Sequence, residues 1–192
     1  ARGRAWLFVG VFSGTGNAAQ RSAIRDTWWR WAALDVDGGA ARACFVLARR
    51  GVHAEVAARV EAEVAAHGDV VWLATATEGC FGVTWTKMYE FWRFAATLPP
   101  TVTHVAKTED DVVLHVPNLI ADLASWRAQP RLYYGLWAWA GLTPAGRACG
   151  FGWTGYDPAR CPAGSLDGTL FATGPLEVLS ADLARLLASD DA

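Results

Sequence analysis

No excess of basic charge marks this sequence: 17 Lys and Arg stand against 19 Asp and Glu, a net charge of −2. A protein that holds a nucleic-acid backbone needs a basic field, so that class of partner is excluded. A long hydrophobic run is missing too. The longest near the start, Ala5 to Phe12, falls far short of the roughly 20 residues that span a bilayer. It also lacks the cleavage-site pattern of a signal peptide. No internal repeat or low-complexity linker interrupts the chain. His53, His67, His104 and His115 have no zinc-like spacing, and the cysteines are no better placed. A structural zinc is excluded on that ground.

What is present describes a globular chain. Of its 192 residues 53% are hydrophobic and 19% charged, enough for one domain with a sizeable core and too few for two comfortable ones. Residues 1–192 therefore read as a single soluble domain, one that can be cut from something longer. Eleven tryptophans are several times ordinary usage. A tryptophan face can fill a core, or it can pack against the C–H face of a sugar ring. Four cysteines permit three pairings. Cys44 lies in an apolar strand pattern and reads as a buried thiol, while a Cys149–Cys161 bridge would close a short loop. The redox compartment stays open.

The periodic pattern alternates strands and helices. Ala5–Phe12 reads as a buried strand, and Asn17 caps a helix running to about Trp31, broken by Asp35 to Gly39. Ala43–Ala48 and Val70–Ala74 are further strands around a helix over His53–Ala66, whose Val56, Val60 and Val64 share a face. Thr84–Ala96 is a helix ended by Pro99-Pro100. Thr103–Lys107 is a fourth strand and Val112–His115 a short fifth, followed by a helix from Pro117 to Trp126. Gly141 to Gly168 reads as a long loop, and Leu170–Leu187 as a short strand and a helix capped by Ser180. This order predicts an α/β fold with a mainly parallel sheet flanked by helices.

The chemistry gathers at Glu109-Asp110-Asp111, directly after the fourth strand. Ligands of open α/β sheets bind beyond the carboxyl ends of the strands. Hard oxygen donors there suit magnesium or manganese carrying a diphosphate; otherwise the triplet is an exposed acidic turn. Arg21 and Arg25, four apart, share a helix face, fit either for a phosphate or for a surface salt bridge. Lys87 sits in a stripe of Trp, Met and Tyr, where it either snorkels outward or pairs with a carboxylate near the sheet's edge.

In this order the segments resemble the β-1,3-glycosyltransferases that move galactose or N-acetylglucosamine from UDP-sugars. Leu7-Phe-Val-Gly-Val-Phe-Ser13 and Gln20-Arg-Ser-Ala-Ile-Arg-Asp-Thr-Trp28 resemble the family's opening strand and RRxxIRxTW box. Cys44–Ala48 resembles its second strand. Asp69-Val-Val-Trp-Leu with Glu78, Phe81, Thr84 and Lys87 resembles its DxYxNLTxK stretch. Val105-Ala-Lys-Thr-Glu-Asp-Asp-Val-Val-Leu114 resembles its metal motif, and Thr173–Leu183 its SGxGYxLSxDL segment.

The resemblance implies a GT-A-type, Rossmann-like nucleotide-sugar-binding fold and an inverting transfer to a glycan or glycoprotein acceptor. It also implies a Mn2+ cofactor or another divalent cation. Asp111 would ligate the metal, with Glu109, Asp110, Arg21 and Arg25 on the donor side. The expected setting is the Golgi lumen, on a membrane anchor absent from this chain. Departures are visible. Gln20 stands for the first arginine of the box, Glu109 for the first aspartate of the metal motif, and Asp167–Phe171 keeps one aromatic of an acceptor-binding segment. The family's acidic box, which supplies the catalytic base, and a metal-completing histidine are expected beyond Ala192. The catalytic base is thus unknown within this sequence, and the fragment is expected to be inactive. Two rivals remain: a non-catalytic relative that binds nucleotide or glycan, and a metal-dependent phosphoesterase.

Overall fold

A computed structural model describes residues 5–31, 39–78, 84–146, 148–152 and 161–189. Chain order runs β1 Leu7–Phe12, α1 Ala18–Asp26, β2 Ala41–Arg50, α2 Ala54–His67, β3 Val70–Thr77 and α3 Thr84–Ala96. It continues with β4 His104–Glu109, α4 Val116–Ala124, β5 Tyr133–Leu142, β6 Ala148–Gly152, β7 Leu166–Ser180 and α5 Ala181–Ala188. Among the described residues the seven strands form one sheet in the order β3-β2-β1-β4-β7-β5-β6. The β3-β2-β1-β4 half is parallel; β7, β5 and β6 join it through antiparallel pairs. This is the mixed α/β fold that the alternation of elements predicts, and it is consistent with the GT-A-like Rossmann fold that the resemblance implies.

Strand β1 is buried along its whole length because helices cover both faces of the sheet. Leu7, Val9 and Val11 join Ile24 of α1, Val60 of α2 and Leu119 and Leu123 of α4. Phe8 and Phe12, one residue out of phase, join Phe91, Trp92 and Ala95 of α3 and Ala184 of α5. Gly10 lets α3 approach: a Cβ there would sit 2.4 Å from the Phe91 ring. Helix α2 ends on Gly68, left-handed at φ 67°, whose N–H donates to the Val64 carbonyl.

Several expectations change. The first helix stops at Asp26, and a 3-10 turn, Trp28–Arg30, follows Thr27, whose ψ of −109° is not helical. The expected break over Asp35–Gly39 lies largely outside the described residues. Val112–His115 is not a strand. The Val112 N–H donates to the Glu109 carbonyl, so the chain turns there; Val113 is exposed and Leu114 drops into the core. The expected loop from Gly141 contains β6, and β7 is 15 residues long rather than short. Ser180 precedes α5 without a side-chain capping bond to a helix N–H; its hydroxyl accepts from the Leu132 N–H. Cys44 is a buried free thiol, pushed up in pKa by burial, and Cys149 is disulfide-bonded to Cys161.

Candidate functional site

In sheet order, β1 has β2 on one side and β4 on the other, so chain direction reverses outward from the β1/β4 boundary. Open α/β sheets form a crevice at that boundary, beyond the carboxyl ends of the strands. A cleft of about 160 Å³ lies there. The segment after β1 supplies Phe12, Ser13 and Gly14 to its lining, and the end of β3 supplies Thr77 and Glu78. Lys87 comes from α3, and Glu109, Asp110 and Asp111 from the end of β4. The acidic triplet thus meets Lys87 at one sheet edge.

The three acids are not equivalent. Asp110 Oδ2 accepts from Ser13 Oγ at 2.6 Å and from Asn17 Nδ2 at 2.9 Å. Asn17 therefore spends its side chain on Asp110 rather than on capping α1. Glu109 Oε1 accepts from Lys107 Nζ at 2.7 Å. Asp111 is exposed and makes no hydrogen bond or ion pair among the described residues. Among the cleft's described carboxylates it is the free one.

Two buried lysines flank the Phe12 ring, Lys87 Nζ 5.3 Å and Lys107 Nζ 5.2 Å from its centroid. Lys87 donates to the Ser13 carbonyl at 2.7 Å and to both Glu78 oxygens at 3.1 and 3.2 Å, so it pairs and does not snorkel. Burial lowers its pKa, and Glu78 opposes that shift. Lys107 also donates to the Gly174 carbonyl at 3.0 Å and lies 3.6 Å from Glu177. Burial raises the Glu177 pKa against the pull of Lys107. Four carboxylates in the lining (Glu78, Glu109, Asp110, Asp111) face two ammonium groups, leaving an acidic cleft. A bare diphosphate is repelled there.

The two arginines have other partners. Arg21 is fully buried, its Nε and Nη2 on the two oxygens of Glu63 at 2.8 and 2.7 Å. Its Nη1 donates to Ser13 Oγ and the Gly14 carbonyl, so it props the cleft from behind without lining it. Arg25 is bound to Asp69 through two bonds of 2.7 Å and to Glu63 at 2.8 Å. Its hydrogen bond to Asp69 raises its pKa, and Arg21 leads in holding Glu63 down to about 2. The helix spacing is as expected; the anion the pair meets is Glu63 and Asp69. Sequence reasoning missed Glu63, 42 residues from Arg21, and gave Ser13 no site role. For Ser13 a signal existed, since it directly follows the first buried strand.

Among the described residues no three His, Cys, Asp or Glu converge as a ready metal cage. Magnesium and manganese do not need one. They are commonly bound by one or two carboxylates and complete their shell with phosphate oxygens and water. Asp111, free and exposed at the rim, fits that kind of ion, with Asp110 held beside it by Ser13 and Asn17.

A family model described as galactosyltransferase matches residues 19–190. The chain belongs to that family. No curated protein matches it closely enough to count as a relative. Galactosyltransferase membership makes it a glycosyltransferase by family, and the matched span runs from α1 through α5, taking in the triplet and Lys87. The cleft at the strands' carboxyl ends is accordingly the candidate active site of a transferase.

Proposed function

We propose that this galactosyltransferase-family domain binds a UDP-sugar with a divalent cation, manganese in the first instance, in the β1/β4 cleft. It would pass the sugar to a glycan or glycoprotein hydroxyl. The observation that carries the reading is Asp111: an unengaged carboxylate at the carboxyl end of the parallel strands, in a cleft too acidic for a bare diphosphate. A bound cation there would neutralise the diphosphate as leaving group. This chain's residues would do the rest. Asp111 would hold the cation-bearing diphosphate, and Ser13 and Asn17 fix the Asp110 carboxylate. Lys87, tethered to Glu78 and the Ser13 carbonyl, gives the cleft its positive wall.

The uracil base, a galactose or N-acetylglucosamine donor, the β-1,3 linkage and inversion by single displacement are supported by the motif resemblance. The Cys149–Cys161 disulfide supports an oxidising compartment, as the Golgi lumen is for a secretory-pathway enzyme.

Thermal unfolding tests the reading. UDP and MnCl2 together, at a hundred times the dissociation constant, should stabilise the fold by about 2.7 kcal/mol, a rise of roughly 5–10 °C. UDP alone and manganese alone should each do much less. Asp111→Asn should abolish the joint effect. An equal response to UDP without metal, or a full response from the Asn variant, would sink the assignment.

A further inference from the structure

Strand β7 does two jobs along its length. Glu177–Ser180 pairs with β4 on one side, and Glu177–Leu179 with the start of β5 on the other. Its earlier part, Leu166–Ala172, pairs with β5 over Trp137–Leu142, a stretch with no β4 opposite it. Between the two parts the register shifts, and Thr173–Leu176 bulges toward the cleft. Lys107 binds the Gly174 carbonyl and Thr108 the Pro175 carbonyl, fixing that bulge to the end of β4. The upper β5/β7 strands therefore form a wall rising beyond Glu109.

The face of that wall can be followed residue by residue. Lys107 is opposite Glu177, Glu177 is opposite Gly135, and Lys107 lies over Phe12 of the cleft. Two residues before Gly135, Tyr133 is opposite Leu179 of the same core layer as Phe12. The Trp137 ring meets the Tyr133 ring edge-to-face, centroids 4.9 Å apart, so it shares that face. Trp137 stands two residues past Gly135, as Glu109 stands two past Lys107. Both therefore lie on the same side of the Lys107–Glu177–Gly135 row. Gly174 closes on the Glu109 carboxylate: a Cβ there would sit 2.8 Å from Glu109 Oε1.

Unlike most tryptophans of the core, Trp137 is 41% exposed, and Tyr133 is 37% exposed. Leu136 and Leu170 are exposed as well. The Tyr133 oxygen accepts from Ala172 N–H, and its own O–H has no acceptor among the described residues. Glu109, 2.7 Å from Lys107, and Glu177, 3.6 Å from it, supply carboxylates on the same side of the sheet. A small flat apolar surface edged with hydrogen-bonding groups matches a pyranose ring, which offers an apolar C–H face and a rim of hydroxyls. A protein or lipid partner would call for a broader apolar patch.

We propose that Trp137, propped by Tyr133, is the acceptor platform: a pyranose of the acceptor glycan stacks on the indole beside the cleft. The shared face is what places it there: Trp137 lies beyond the Lys107–Glu177–Gly135 row, on the side of the sheet that carries Phe12. The inference rests on the reading of the cleft as the donor site.

Saturation-transfer NMR on this chain with UDP and manganese present would test it. The probes are methyl β-galactoside, methyl β-N-acetylglucosaminide, lactose and N-acetyllactosamine. At least one should bind with its ring C–H protons most saturated. Trp137→Ala should weaken that probe about tenfold and Trp137→Phe much less, while the UDP–manganese melting shift stays at the parental value. Equal affinity of parent and Trp137→Ala overturns the proposal, as does the failure of all four probes to bind the parent. Retention of the Ala variant's weakened binding by the Phe variant also overturns it, because the flat ring would then play no part. Trp137-dependent glycan binding without any UDP–manganese shift would uphold the platform and overturn the donor reading instead.

Discussion

Two clusters of charge lie at the two ends of one short path, and they are built on opposite terms. In the first, Arg21 and Arg25 of α1 share Glu63 of α2 and Asp69 before β3, and every charged group has a partner within 2.8 Å. In the second, at the end of β4, Asp110 and Glu109 are held by neighbours while Asp111 is held by none of the described residues. Ser13 joins them: its hydroxyl accepts from Arg21 and donates to Asp110. The saturated cluster is what a fold does with charges it must bury. The unsaturated one keeps a charge available for something that is not protein. Satisfaction, more than the presence of charge, separates scaffold from site.

The largest effect should come from breaking the saturated cluster. Glu63→Ala leaves the fully buried Arg21 without its bidentate acceptor, and uncompensated buried charge costs about 3–5 kcal/mol. Urea unfolding of parent and variant measures it. A loss under about 1 kcal/mol would mean that the cluster is no more structural than the cleft, and the comparison would collapse.

Acidity should break the same cluster without mutation. The Glu63 carboxyl is held at about 2, below its ordinary value, so it contributes stability above that ordinary value. The contribution fades as pH falls from about 4.5 toward 2, because the unfolded chain takes up the proton first. Its full size is about 3 kcal/mol, and little of it should be missing at pH 6. Urea melts from pH 6 to pH 2.5 should show a fall that Glu63→Gln lacks. Parallel slopes for the two proteins would remove Glu63 as the cause.

Arg25 sharpens the contrast with a smaller effect. Arg25→Ala gives up three charge-assisted bonds at a partly exposed site, for about 1–3 kcal/mol of stability. Calorimetric titration with UDP and manganese should return the parental affinity. A tenfold weaker affinity would move Arg25 from the scaffold into the donor site.

How legible these clusters were differs in the same way. The triplet could be placed from the sequence because an apolar strand leads straight into it, and strand ends are where such sheets bind. Arg21 and Arg25 could be placed on one helix face, but the spacing says nothing of what faces them. Their anions arrive from α2 and the start of β3, 38 to 44 residues away. Val112–Leu114 has the β-branched, apolar look of a strand; the turn closed by Glu109 and Val112 overrides that propensity. Tyr133–Leu142 has no clean alternation, since its exposure runs irregularly and a register shift interrupts it near Gly135. The part of the sheet that carries the exposed aromatic pair was therefore the least readable from sequence.

The smallest effect on folding should come from the residue that matters most to the proposed function. Asp111 is exposed, bonds to nothing among the described residues and adjoins two other acids. Asp111→Asn keeps the shape and removes one like charge, so unliganded stability should change by no more than about 0.5 kcal/mol. The sign should be slightly stabilising at low salt, where carboxylate repulsion is least screened, and the gain should shrink as salt rises. Urea unfolding at two ionic strengths reads both. A loss of 2 kcal/mol or more would show that Asp111 holds the fold together, and the distinction between a spent cluster and an available one would fail at its central residue.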